Sequence, residues 1–127
     1  MTRQVVSTTK APGAIGPYSQ GIVTGDLVFT AGQGGVDPAT RKVVEGGIAE
    51  QTRQTLRNIT AILDAAGSSM ARVVKTTVFL QDIKDFAAMN AVYAEFFPQD
   101  PPARTTVQVA ALPMGILVEI EAVAVKG

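Results

Sequence analysis

Apolar residues alternate with polar ones in short runs near both ends of this chain, and between them they recur at every third or fourth position in two longer stretches. Gln4–Ser7 reads as a short strand, and Ala11-Pro12-Gly13-Ala14-Ile15-Gly16-Pro17 is a loop by its density of Gly and Pro. Gln20–Thr24 and Leu27–Ala31 flank Gly25-Asp26 as the arms of a hairpin, and Asp37-Pro38-Ala39-Thr40 suits a type I turn with Pro at its second position. Gly47–Ala66 is the strongest helical pattern: Ile48, Thr52, Leu56, Ile59, Leu63 and Ala66 form one stripe, Glu50, Arg53, Arg57 and Asn58 occupy other faces, and Gly67 supplies a left-handed stop. Val73–Gln81, rich in β-branched residues, is a strand. A second helix, about Asp85–Phe97, carries Phe86, Met89, Tyr93 and Phe96 on one side; Pro98 ends it, and Pro101-Pro102 keep the next stretch extended. Thr105–Val109 and Leu117–Lys126 complete the order strand, strand, strand, helix, strand, helix, strand, strand.

The last strand bears on assembly. One of its faces holds Val118, Ile120, Ala122 and Ala124; the other holds Glu119, Glu121, Val123 and Val125. A sheet with one wet face carries polar residues all along it, yet here carboxylates share that face with valines. Two helices cover only one face of such a sheet, so self-association is expected to bury the other. A sheet that exposes a few valines is the alternative.

With 127 residues the chain fits one domain, 1–127. A hydrophobic fraction of 46% and a charged fraction of 17% exclude a disordered chain. Eleven basic residues balance eleven acidic ones, with no block of like charge. The basic surplus that drives phosphate neutralisation is missing, so no nucleic-acid partner is expected. The absence of Cys and His removes disulfides, thiolate nucleophiles, thiolate metal sites and histidine-based catalysis. No run resembles a calcium loop, and neither a metal nor a cofactor is expected. Acid–base chemistry then falls to Asp, Glu, Lys, Tyr, backbone groups or water. No apolar run approaches a membrane span, and residues 1–10 resemble neither a signal nor a transit sequence, so the expected location is the cytoplasm.

Three positions invite a chemical reading. Arg104 opens a strand after Pro101-Pro102-Ala103 and shares a face with Thr106 and Gln108; it is either a bidentate carboxylate clamp or a solvated residue at a strand end. Glu119, amid apolar neighbours, is functional, at a sheet edge, or half of a structural ion pair, and Glu121 on the same face raises the prospect of coupled titration. Tyr18, after the rigid Gly16-Pro17, either presents its hydroxyl to a ligand or simply packs. Thr30-Ala31-Gly32-Gln33-Gly34-Gly35 lacks the Lys and hydroxyl residue of a phosphate loop and opens no helix, which argues against nucleotide binding.

Taken together, Ala14-Ile15-Gly16-Pro17-Tyr18-Ser19-Gln20, Val44 to Thr52, Val74 to Leu80, Asn90 to Phe97, Pro101 to Val107 and Val118 to Ala122 resemble the Rid family, also called the YjgF or RidA family. The blocks run in the family's order from about residue 12 to 125. The resemblance implies the chorismate-mutase-like α+β fold, a mixed sheet of about six strands with two helices on one face. It implies a homotrimer whose sheets surround a central barrel, with sites between subunits. The activity implied is that of a 2-iminobutanoate/2-iminopropanoate deaminase: cofactor-free hydrolysis of 2-aminoacrylate and related enamines and imines, released by pyridoxal-phosphate enzymes, to 2-oxo acids and ammonia. Carried over by position, Arg104 clamps the substrate carboxylate, Glu119 manages the attacking water and its protons, and Tyr18 contacts substrate across the subunit boundary. The backbones of Gly32 and Thr106 donate to the ligand, and Asn90 lies near the pocket.

Departures from the family pattern bear on specificity. Ala31 stands where Ser is common, and Thr106 where Cys is frequent. Gly34-Gly35 replace an apolar-Pro pair, which predicts local flexibility, and Met114-Gly115 replace a basic-acidic pair. A non-catalytic ligand-binding or chaperone-like trimer is the competing expectation. The ribonuclease and translation-inhibitor roles attached to some relatives fit poorly with zero net charge and no His.

Overall fold

The structure, a computed structural model, describes residues 2–127. Its elements in chain order are β1 (Arg3–Val6), β2 (Gly21–Thr24), β3 (Leu27–Thr30), β4 (Gln33–Gly34), α1 (Gly47–Ala65), β5 (Val73–Leu80), α2 (Phe86–Phe96), β6 (Ala103–Gln108) and β7 (Val118–Val125). The strands make one mixed sheet in the order β1-β2-β3-β7-β5-β6, with β4 also paired to β7. Only β5 and β6 run parallel, joined through α2; the other pairings are antiparallel. The α+β class and helix count match expectation, and β4 is the added seventh strand.

The β2–β3 hairpin closes over Gly25-Asp26, with Gly25 at the positive φ (55°) that so tight a loop requires. The turn after Asp37 is one residue longer than expected: the Arg41 amide donates to the Asp37 carbonyl (2.8 Å), and Arg41 itself adopts φ 63°. Helix α1 ends as predicted, with Gly67 at φ 79° and the Ser68 amide donating to the Leu63 carbonyl (2.8 Å).

The core lies between α1, α2 and one face of the sheet. Leu56, Ile59, Ile62 and Leu63 of α1 meet Val28, Val78, Leu80, Val118 and Ile120, and Met89 and Tyr93 of α2 close its far side. The buried side of α1 is wider than the predicted stripe and includes Gln51, Thr55 and Asn58. Asn58, read from sequence as lying off the apolar face, is fully buried: its amide donates to the carbonyls of Gly34 (3.1 Å) and Val36 (2.9 Å). Gln51 Oε1 likewise accepts from the Leu117 amide (2.8 Å). These side chains satisfy backbone groups that the short β4 leaves without ladder partners.

Gly34 and Gly35 both lie where the backbone comes close to a neighbour. A Cβ on Gly34 would lie 2.7 Å from Ile116 Cδ1, and one on Gly35 would lie 2.7 Å from Gln51 Cα. Gly34 lets β4 pack against Ile116, and Gly35 lets the chain just after β4 press directly onto α1.

The second face of the sheet has no helix. Val5, Leu27, Phe29 and Val107 are exposed on it, and Phe79, Val123 and Val125 are half-buried. Within one chain the sheet is open, with β1 and β6 at its edges.

Candidate active site

Strand register decides which candidate residues can meet. Residues directly opposite each other on neighbouring strands project to the same face. Arg104 on β6 is level with Thr76 on β5, which is level with Ala122 on β7; Thr76 and Ala122 are both buried under the helices. Arg104 and Thr106 therefore project toward the helix layer. Glu119 on β7 is level with Phe79 on β5 and through it with Val107 on β6, so its side chain leaves from the bare face. The six candidate residues consequently separate into two groups on opposite sides of one sheet.

The first group is Glu119, Gly32 and Tyr18, which line a cleft of about 210 Å³ together with residues of the 12–15 loop, Arg41 and Met114. Gly32 lies beneath the Glu119 side chain; a Cβ there would come within 2.9 Å of Glu119 Cδ. Burial raises the Glu119 pKa above the ordinary carboxylate value, and the neighbouring Glu121 raises it further. Among the described residues Glu119 forms no ion pair, since the salt bridges join Arg53 to Glu50 and Glu95. The ion-pair alternative for Glu119 is thus not realised within the chain. Tyr18 is half-exposed, and its hydroxyl accepts from the Ile15 amide (3.2 Å). Gln20 anchors the loop that carries it: buried, it accepts from the Thr8 amide (2.7 Å) and donates to the Pro12 carbonyl (2.8 Å).

The second group is Arg104, Asn90 and Thr106. The Arg104 guanidinium lies 4.8 Å from the centroid of the Tyr93 ring and 5.5 Å from that of Phe86, close enough for cation–π attraction. It pairs with no carboxylate among the described residues. Tyr93 is fixed in turn by a 2.6 Å hydrogen bond between its hydroxyl and that of Thr76. Burial raises the Tyr93 pKa, partly offset by the Thr76 bond and the Arg104 charge. Asn90 Oδ1 and Thr106 Oγ1 are shut away from solvent without a hydrogen-bond partner. Buried polar atoms are nearly always paired, so this corner carries unmet demand beside an unpaired cation. Because β6 is a sheet edge, the group lies where another chain can approach.

Reading the sequence missed the Tyr93 and Phe86 platform, Gln20 and Arg41. Tyr93 and Phe86 sit at helical spacing and read as core; Tyr93 is core and platform at once. Gln20 offered no pattern. The signal at Arg41 was a charged residue in a Pro-containing turn, which normally means only solvent.

The match to known proteins is broad. Residues 8–126 fit the family described as Endoribonuclease L-PSP. A RutC family protein of Pyrococcus abyssi is 51% identical over 126 residues, spanning 99% of each chain. The human protein named 2-iminobutanoate/2-iminopropanoate deaminase is 50% identical over 127 residues, spanning 100% of this chain and 93% of the relative. The crystal structure of the YjgF gene product from E. coli superposes with a TM-score of 0.93 at 46% identity, covering 98% of this chain and 99% of that one. No helix among the described residues is long and apolar enough to cross a membrane. With the family pattern matched nearly end to end and the fold superposing on that of YjgF, the chain belongs to the L-PSP family, the Rid family that its sequence resembles.

Proposed function

We propose that this protein is an enamine/imine deaminase acting on small 2-imino acids, and that its active site is completed where two subunits of a homotrimer meet. The observation that carries the reading is the division of the candidate residues. An unpaired guanidinium on an aromatic platform stands at a sheet edge, and a carboxylate with a raised pKa lines a cleft on the opposite face. Neither half suffices alone, and no bend of a single sheet brings them together. A heterologous ring in which the Arg104 half of one subunit faces the Glu119 half of the next joins them and also covers the bare apolar face. The relatives named as imine deaminases support the choice of reaction.

The chemistry then follows from the groups present. Arg104 takes the α-carboxylate bidentately, the Thr106 hydroxyl donates to the same carboxylate, and Asn90 Oδ1 accepts from an N–H of the substrate. This places the electrophilic iminium carbon over Gly32 and Glu119. One water adds to that carbon as Glu119 accepts its first proton and passes it to nitrogen; the C–N bond then breaks as Glu119 takes the second proton from the hydroxyl and gives it to the departing ammonia. The iminium and water become a 2-oxo acid and ammonium, with atoms and charge balanced. Burial raises the Glu119 pKa, which makes its carboxylate a better proton acceptor for these transfers. The remaining work is orientation and exclusion of other nucleophiles.

The test is a coupled assay. Serine dehydratase supplies 2-aminoacrylate, and loss of imine absorbance is followed with and without this protein. Acceleration is expected; none, from a folded and oligomeric sample, would replace this proposal with the ligand-binding reading.

A further inference from the structure

The cleft beside Glu119 holds a charged group that the reaction above does not use. Arg41 is the only basic residue lining it among the described residues. Its backbone sits at φ 63°, a region that costs any residue with a side chain and that Gly would occupy freely. The loop enforces this conformation. The Arg41 amide donates to the Asp37 carbonyl (2.8 Å), Asp37 Oδ1 accepts from the Ala39 amide (2.8 Å), and Val36 bridges Val43 across the loop base. Nor does the guanidinium repay that cost inside the chain, for it meets no carboxylate although Glu119 lines the same cleft. Met114, on another part of the wall, is also held at positive φ (60°). Two of the three non-glycine residues with positive φ thus line this one cleft. Strain concentrated around a cleft is a pointer to ligand contact.

We infer that Arg41 is a specificity-determining residue that receives a second carboxylate, so that the cleft favours 2-imino dicarboxylic acids over imino acids with short apolar side chains. The inference rests on the deaminase reading. With the α-carboxylate on Arg104 of a neighbouring subunit and the imine carbon at Glu119, the side chain of the substrate extends into the cleft that Arg41 lines. A carboxylate at its end gives Arg41 the bidentate partner the chain itself withholds. The same iminium hydrolysis follows, releasing a 2-oxo dicarboxylic acid and ammonium.

The experiment compares two imines made by flavin amino-acid oxidases, iminosuccinate from aspartate and 2-iminopropanoate from alanine. Ammonium release is measured against spontaneous hydrolysis. Arg41→Gly relieves the backbone, so the variant folds, while Arg41→Lys keeps both the charge and the strained φ. The ratio of kcat/KM for iminosuccinate to that for 2-iminopropanoate is expected to fall about ten- to a hundredfold in Arg41→Gly, the loss of a charge-assisted contact. In Arg41→Lys, which keeps the charge but loses the bidentate fork, it is expected to fall by less than in Arg41→Gly, about three- to tenfold. An unchanged ratio in Arg41→Gly, with 2-iminopropanoate still hydrolysed, overturns this inference and leaves the deaminase intact. Failure of the wild-type protein to accelerate either imine overturns the deaminase reading, and this inference with it.

Discussion

Gly32→Ala isolates the placement of Glu119 from its identity. Gly32 does not have a positive φ, so alanine fits its backbone, and the obstacle is the side chain above it. The added methyl would lie 2.9 Å from Glu119 Cδ and 3.1 Å from Cγ. Carbon atoms in contact rest about 3.5–4.0 Å apart, so the carboxyl carbon must withdraw by about 0.6–1.1 Å. The neighbour is the flexible end of a side chain at a cleft, so the move is cheap for the fold. Stability should change by no more than about 0.5 kcal/mol. For catalysis the same displacement is large, since misplacing a reacting group by about 1 Å can cost about a hundredfold in rate. The variant is therefore expected to lose about ten- to a hundredfold in kcat in the coupled 2-aminoacrylate assay. KM should move only a few-fold, because the Arg104 half is untouched. Wild-type kcat in a folded Gly32→Ala protein would refute the reasoning, since it would mean that the Glu119 carboxylate need not sit where the structure puts it.

Other expectations concern charge and packing. Arg104→Ala should lower kcat/KM by about ten- to a hundredfold; Arg104→Lys should also be poor because bidentate geometry is lost, and full activity in either would end the clamp assignment. Glu119→Gln should abolish turnover while keeping 2-oxo acid binding, measurable by calorimetry. The fold raises the Glu119 pKa, so the wild type loses stability as pH climbs from the unfolded carboxylate value through the raised native one. Glu119→Gln should accordingly melt higher than wild type above that window. The gap should close below about pH 4, where the carboxyl is protonated in both states; a gap independent of pH would contradict the cause given. Asn58→Ala strips the Gly34 and Val36 carbonyls of their buried donor and should cost about 2–4 kcal/mol in a denaturant titration. A loss under 0.5 kcal/mol would mean water replaces the amide.

Periodicity made the elements legible because most obey one rule each. Helix α1 has its apolar stripe and its Gly67 stop, and β7 its strict alternation. The same alternation already separated Glu119 from Val118 and Ile120, and Arg104 shared a predicted face with Thr106. What could not be read was which face of β6 matches which face of β7. That depends on the register through β5, and register is a property of pairing, invisible along one strand. The division of the site into halves was hidden for that reason. Strand β4 escaped because two residues carry no period, and its ladder is completed by Asn58 and Gln51 from a helix. A buried amide that serves a distant backbone looks, in sequence, like any polar residue on a helix. The close approach at Gly34-Gly35 was hidden similarly: glycine marks either a free chain or a close approach, and sequence does not show the neighbour.

The claim that an imine deaminase is completed across subunits is tested most directly by mixing defects. Arg104→Ala and Glu119→Gln chains are denatured together in equal amounts, refolded, and assayed with 2-aminoacrylate beside each variant refolded alone. In a ring where each site takes Arg104 from one subunit and Glu119 from the next, random assembly leaves about one site in four with both groups. The account predicts at most about a tenth of wild-type activity for either variant alone and about a quarter of wild-type activity for the mixture. A mixture no more active than its parents, with oligomers formed, would contradict it and place both residues' work within single chains.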